Sequence, residues 1–270
     1  MGSHHSDVGV RSFGKYRTRG SYHWEKASRH VFKRDCFALA RYDAALQLAG
    51  DVRGKRILDY GCGDGAFLFR LAKAGAQAVG FDPDPCGLML ARGEFARRRA
   101  DVPLLCRESQ VPRRAFDVVF LLEVIEHVRD TQALLSSVAG VLKDDGCLVL
   151  STPMRLTETP VDPEHEREFF PGELLAELAV MFEVDEVQKQ VPLAAAEMFH
   201  WRPAFLLRLP VLRWAMNAVS ILTNQNLIYG IGTPSRYYTQ LLVRCRKRPD
   251  GSQTAGCHPR PNLDASADAA

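Results

Sequence analysis

Two carboxylates and an imidazole crowd together at Glu123-Val-Ile-Glu126-His127, directly after the apolar run Phe116–Leu122. Such crowding is costly unless a cation or a proton relay relieves the repulsion. A second group, Asp162-Pro-Glu-His165-Glu-Arg-Glu-Phe169, follows the next apolar run, and its His165 would complete a set of four with Glu123, Glu126 and His127. Three roles suit these residue types. The four could hold a divalent cation, for which mixed oxygen and imidazole donors suit Mg2+ or Mn2+ better than a thiolate-seeking metal. His127 could act as a general base oriented by Glu126, with His165 nearby. The group could also merely cap the helix that follows.

A second chemistry is written upstream, where Ile57-Leu-Asp59-Tyr-Gly61-Cys62-Gly63-Asp-Gly65-Ala-Phe67 joins a short apolar run to a glycine-rich turn and a helix start. Alternating glycines let a backbone take positive φ and approach a ligand without a Cβ in the way, and amides at the next helix start are expected to point into the same space. A phosphate site would avoid the carboxylate of Asp59, so the turn suits a ligand carrying an ammonium group and hydroxyls. A tight turn with no ligand is the plain alternative. Against it stands Ala78-Val-Gly-Phe-Asp82, a run ending in an acid about twenty residues on, where a ribose-binding carboxylate belongs.

The D-x-G-x-G-x-G form resembles motif I of class I S-adenosylmethionine-dependent methyltransferases, not the G-x-G-x-x-G of dinucleotide binders. Phe116–Glu123 resembles the fourth-strand motif of that family, and Leu142-Lys-Asp-Asp-Gly-Cys-Leu-Val-Leu-Ser-Thr-Pro153 its fifth-strand motif. The resemblance implies S-adenosylmethionine as cofactor. Asp59, Gly61, Cys62, Gly63 and Gly65 would hold its methionine part, Asp82 and Pro83 its ribose, and Leu122 would close the site at the fourth strand. Glu108 is the candidate adenine contact, in Cys106-Arg-Glu-Ser-Gln110 ahead of a shortened loop to Phe116.

E-x-x-E-H followed by a distant His resembles ubiquinone-biosynthesis O-methyltransferases and the enzymes that 2′-O-methylate the terminal ribose of small RNAs. In both, comparable residues hold a metal that binds the acceptor oxygen. The implied ligands are Glu123, Glu126, His127 and His165, although the spacing to His165 departs from the RNA enzymes. His165–Leu174, Tyr22-His-Trp24 and a long apolar stretch are similar to bacterial methyltransferases of glycan and secondary-metabolite clusters. O-methylation of a small-molecule, glycan or lipid-linked acceptor is therefore expected, with RNA as the alternative acceptor. A non-catalytic cofactor-binding or interaction module is the third reading.

These residues need a scaffold, and apolar runs alternating with helical patterns describe an α/β fold with a parallel sheet. Strands are expected near 56–59, 77–81, 103–106, 117–122 and 147–152, and helices near 33–49, 65–75, 84–99, 130–142 and 171–181. Phe182–Val191 and Tyr238–Arg246 read as closing strands. The resemblance implies a Rossmann-like, seven-stranded, mostly parallel sheet with its last strand antiparallel.

The organisation follows: a basic, aromatic helical arm over 1–50, a cofactor-binding core over 51–192, an apolar helical cap over 193–236, a closing strand over 237–248 and a disordered tail over 249–270. The arm interleaves Arg11, Lys15, Arg17, Arg19, Lys26 and Arg29 with Phe13, Tyr16, Tyr22, Trp24 and Phe32, as a flap over an anionic substrate or RNA would. The cap, broken by Pro203 and Pro210, is too interrupted for a membrane span. It could close the pocket or lie on a membrane surface.

A hydrophobic share of 46% with 25% charged residues is ordinary for a globular protein, and a net charge of +3 does not by itself imply nucleic acid. Seven cysteines without paired metal spacing, and no secretory signal in the polar start, point to a reducing cytoplasm, peripheral to the inner membrane face if the cap meets lipid.

Overall fold

The computed structural model describes residues 14–160, 162–200, 202, 209–228 and 238–248. Its apolar runs form strands β1 (Arg56–Tyr60), β2 (Gln77–Phe81), β3 (Leu104–Leu105), β4 (Phe116–Leu122), β5 (Leu142–Pro153), β6 (Phe182–Pro192) and β7 (Tyr238–Lys247). They make one seven-stranded sheet in the order β3-β2-β1-β4-β5-β7-β6. β1 pairs parallel with β2 and β4, while β7 runs antiparallel between β5 and β6. The expected architecture is therefore present. β3 is shorter than expected because only Gly80 and Phe81 of β2 pair with it, at the edge of the sheet.

Both faces of the central strands are covered, as near-continuous apolar strands require. Successive residues of β1 point to opposite faces. Ile57 meets α3 (Cys36–Ala49), α4 (Ala66–Lys73) and α5 (Pro85–Arg97) through Leu48, Phe67 and Leu88. Leu58 belongs to the opposite layer, where α6 (Thr131–Val141) and α7 (Pro171–Ala179) contribute Leu134, Val138, Leu174 and Leu178. α3 begins at Cys36 and not near residue 33, because Asp35 caps it by accepting from the Ala38 amide at 3.0 Å. Leu39, Tyr42 and Leu48 put this helix in the core layer, although the arm was expected to run through residue 50.

Before it lie two short helices, α1 (Gly14–Arg19) and α2 (Tyr22–Lys26). Between β6 and β7 come α8 (Leu193–His200) and α9 (Val211–Thr223). The expected disordered tail, Arg11, Phe13 and Pro203 lie outside the described residues. Among the described residues, no helix is long and apolar enough to cross a membrane.

The chain order places a topological switch between β1 and β4. From β1 the sheet grows toward β2 and β3, and from β4 toward β5. Crevices of open α/β sheets form at the carboxyl ends of the strands at such a point, and both chemical motifs sit there. α6 itself is capped by Asp130, which accepts from the Ala133 amide at 2.9 Å. Asp130→Ala should cost about 1 kcal/mol and lower Tm by about 2–4 °C in thermal unfolding.

Candidate active site

The turn after β1 takes positive φ at Gly61 (85°), Gly63 (51°) and Gly65 (78°). A Cβ on Gly61 would meet Val124 Cγ2 at 2.4 Å, so glycine here lets the turn after β1 touch the turn after β4. The amides of the turn itself are bonded within the protein. Gly61 and Cys62 donate to the Phe81 carbonyl at 2.7 and 3.0 Å, and Gly63 donates to Asp82 Oδ2 at 2.7 Å. Gly65 stands at the N-terminal cap of α4, its amide bonded to Cys62. The turn thus offers close approach and side-chain charge, while its amides hold it to β2.

A cavity of about 700 Å3 opens over this switch point. Asp59, Gly61 and Cys62 line one wall, and Leu122, Glu123, Glu126, His127 and His165 also face it. Asp59 is buried, and its Oδ2 has no hydrogen-bond partner among the described residues. Burial, reinforced by Asp82 and Asp64, pushes its carboxyl up to about 8. The neighbouring acids are better served. Asp64 accepts from the His23 amide at 3.0 Å, and Asp82 accepts from the Gly63 and Asp84 amides at 2.7 and 2.8 Å. Burial still lifts Asp82 to about 6.

Arg41 of α3 also lines the cavity. Its guanidinium lies 2.9 Å from Glu123, and its buried Nε has no partner among the described residues. One orphaned carboxylate oxygen and one orphaned guanidinium N–H fit the two ends of an amino-acid zwitterion, which is the methionine part of S-adenosylmethionine. The adenosine end is a different matter. Asp82, Pro83, Glu108, Gly63 and Gly65 do not line the cavity. Tyr16 of α1 stands between, its hydroxyl 1.7 Å from where a Gly63 Cβ would be. Pro83 is exposed, and Glu108 accepts a hydrogen bond from Tyr60.

Across the cavity, Glu126, His127 and His165 each offer a ligand atom within 4.8 Å of the other two. Glu126 and His127 lie on a 3-10 turn after β4, and the two imidazole rings meet edge to face at 4.9 Å. The Glu164 carbonyl accepts from His127 Nδ1 at 2.9 Å, and the Glu168 carboxylate sits 2.7 Å from His165 Nδ1. These contacts turn Nε2 of both rings away from their backing groups, as ligating histidines are held. Burial, with His165 and Lys15 nearby, lowers His127. Glu126 is fully buried, with Oε2 accepting from Thr152 at 3.2 Å and Oε1 unpartnered among the described residues. Burial and Glu123 push its carboxyl well up.

Glu123, grouped with these ligands from the sequence, is drawn elsewhere. Its carboxylate binds Arg41 and accepts from Ser151 at 2.9 Å, and its backbone is held at φ 56°. A bulky residue at positive φ is strained, and strain of this kind collects at functional sites. The sequence also missed Arg41, Tyr16 and Lys15 as site residues. Lys15 pairs with Asp162 at 2.6 Å and Glu164 at 3.6 Å, tying α1 to the loop that carries His165. The only hint was the mix of cations and rings in the arm.

A family model for a methyltransferase domain matches residues 30–202. The chain belongs to the methyltransferase-domain family. Fold, motifs and family make it a class I S-adenosylmethionine-dependent methyltransferase domain. It is 34% identical over 126 residues to a ubiquinone biosynthesis O-methyltransferase of Rhodopseudomonas palustris (strain BisA53), covering 46% of this chain and 49% of that protein. It is 39% identical over 101 residues to the protein of the same name from Bradyrhizobium sp. (strain ORS 278), covering 37% and 40%. The chain thus spans about half the length, or less, of these curated relatives.

Among solved structures, it shares its fold with an S-adenosylmethionine-dependent methyltransferase from Mesorhizobium loti, at TM-score 0.52 and 20% identity over 77% of this chain and 98% of that one. It also shares its fold with Haemonchus contortus phosphoethanolamine N-methyltransferase 2, solved with phosphomonomethylethanolamine and S-adenosylhomocysteine. That likeness has TM-score 0.57 and 19% identity, covering 87% of this chain and 59% of the other.

Asp59 of this methyltransferase domain carries a stability signature. A carboxyl near 8 in the folded state, against about 3.9 unfolded, keeps its proton between about pH 4 and 8, so stability falls as pH rises through that window. Asp59→Asn should therefore raise Tm of the cofactor-free protein at pH 8.5, with the difference fading toward pH 4. The same variant should weaken S-adenosylhomocysteine binding roughly tenfold or more by calorimetry. A lower Tm at pH 8.5 would show that Asp59 is already paired.

Proposed function

We propose that the chain transfers the methyl group of S-adenosylmethionine to a hydroxyl of a small-molecule, glycan or lipid-linked acceptor, with a divalent cation at the acceptor side. The observation that carries this reading is the convergence of Glu126, His127 and His165 on the cavity wall, in the same space as Asp59 and Arg41. The name of the curated relatives, ubiquinone biosynthesis O-methyltransferase, supports oxygen as the accepting atom.

S-adenosylmethionine, when bound, supplies a methyl group already activated on a sulfonium. Asp59 would hold its ammonium group and Arg41 its carboxylate, while Asp82 is the candidate for the ribose once Tyr16 moves aside. Holding both reactants in line can supply roughly 7–11 kcal/mol. Mg2+ or Mn2+ held by Glu126, His127 and His165 would supply Lewis acidity that lowers the pKa of the acceptor hydroxyl. The Glu168 carboxylate and the Glu164 carbonyl keep both imidazoles aimed. A cation would also offset the burial and the Glu123 charge that push the Glu126 carboxyl well up.

Four of the arm's cations are engaged within the structure. Lys15 and Arg41 are paired inside the cavity wall, Lys33 bonds Glu25 at 2.7 Å, and Arg34 bonds Ser220 at 3.2 Å.

Exhaustive chelation should abolish label transfer from methyl-labelled S-adenosylmethionine into lipid-soluble and small polar fractions of host extract, and Mn2+ should restore it. Glu126→Gln should weaken Mn2+ binding, followed by electron paramagnetic resonance, roughly tenfold to a hundredfold. Activity unchanged by chelation would instead leave His127 as a metal-free base, and label appearing in RNA would overturn the acceptor class.

A further inference from the structure

The acids of the cavity wall each have a partner or an assigned one. Asp162 and Glu164 face Lys15 at 2.6 and 3.6 Å, Glu123 faces Arg41 at 2.9 Å, and Asp64 accepts from the His23 amide at 3.0 Å. Asp59 and Glu126, each with an oxygen unpartnered among the described residues, are left for the cofactor's ammonium group and the divalent cation. Two cations of the same wall remain: Arg19 at the end of α1 and Lys26 at the end of α2. Neither makes an ion pair or a side-chain hydrogen bond among the described residues. Lys26 Nζ lies over the Tyr22 ring at 5.3 Å. The acid that favours its charge, Asp35, is engaged elsewhere, accepting from the Ala38 amide at 3.0 Å and standing 3.7 Å from Arg213.

Arg19 and Lys26 feel each other's charge. Burial lowers the Lys26 ammonium, and Arg41 and Arg19 lower it further against the pull of Asp35. An anion placed among them would relieve that repulsion. Tyr22 and Lys26 are four residues apart, on one side of α2. The Tyr22 side chain also lines the cavity, and its hydroxyl makes no hydrogen bond among the described residues. A guanidinium, an ammonium and a hydroxyl thus stand ready to donate. S-adenosylmethionine does not supply the anion, because its single carboxylate is assigned to Arg41. Lys15 and Arg19 lie about one turn apart on α1, roughly 6 Å along its axis, and Lys15 holds the loop of His165. On this arm the cations therefore begin one helical turn from the contact with the acceptor-side loop.

We propose that Arg19, Tyr22 and Lys26 form an anion subsite for the acceptor, so that the substrate is a compact hydroxylated acid whose carboxylate or phosphate lies about one small ring away from the hydroxyl that is methylated. The inference rests on the proposed function and narrows it. An acceptor held by its hydroxyl at Glu126, His127 and His165, and by its anionic group at the arm, is fixed at two points. Two-point holding orients the oxygen toward the methyl group, as an in-line transfer requires. A neutral acceptor would be held at one point only.

Two matched pairs of probes test this by calorimetry on the full chain saturated with S-adenosylhomocysteine and Mn2+. Catechol is compared with protocatechuate, which adds a carboxylate, and glycerol with glycerol phosphate. The acid of at least one pair should bind roughly tenfold tighter than its neutral counterpart, and the pair that shows the advantage identifies the anion as carboxylate or phosphate. Added salt should erode the advantage. Lys26→Gln and Arg19→Gln should each remove most of it, with S-adenosylhomocysteine affinity and circular dichroism unchanged. No advantage for the acid in either pair, absence of binding included, would overturn the proposal, as would an advantage that survives both substitutions. So would a loss of S-adenosylhomocysteine affinity in Lys26→Gln, since that cation would then serve the cofactor's carboxylate. Because cofactor and Mn2+ binding are read before the probes are added, failure here and failure of the methyl-transfer reading remain distinct.

Discussion

A buried carboxyl without a partner organises this site. Three aspartates, Asp59, Asp64 and Asp82, gather around one glycine turn, and the fold supplies donors to two of them: the His23 amide for Asp64, and the Gly63 and Asp84 amides for Asp82. Asp59 is left with an orphaned oxygen inside the cavity. Burying a carboxylate in this way is costly, and the cost falls away when a cation arrives. A ligand bearing an ammonium group gains from Asp59 what the empty protein loses.

The glycines serve this arrangement by geometry. At Gly61 the missing Cβ lets the turn after β1 press on Val124, bringing the carboxyl ends of β1 and β4 into one crevice. The same closeness puts the Glu126, His127 and His165 cluster across the cavity from Asp59, so the two candidate groups share one space. α1 then spans both halves, with Tyr16 on Gly63 and Lys15 on the loop of His165.

Much of this was legible in the sequence because it is local. The strands announce themselves as apolar runs, and Asp59 is readable as the acid that ends one run and opens a glycine turn. What could not be read depends on tertiary placement. Glu123 and Glu126 look equivalent three residues apart, yet the 3-10 turn sends Glu126 into the cluster, and positive φ at Glu123 sends its carboxylate to Arg41. Arg41 lies on a helix in a segment rich in cations, and nothing near it in sequence marks it as the one that reaches Glu123. The cap was visible as an apolar stretch, but the reversal of α9, with Asn217 and Ser220 inside and Leu222 outside, appears only once its partners on the 28–35 segment are known.

The most direct test of the unpaired Asp59 carboxyl is the proton balance of S-adenosylhomocysteine binding, measured by calorimetry at pH 7 in buffers of differing ionisation enthalpy. With Asp59 near 8 in the free protein and ionised against the ligand's ammonium group, binding should release close to one proton, and Asp59→Asn should abolish the release. Binding that releases no proton in the unaltered protein would contradict the account, because Asp59 would then be ionised and compensated before the ligand arrives.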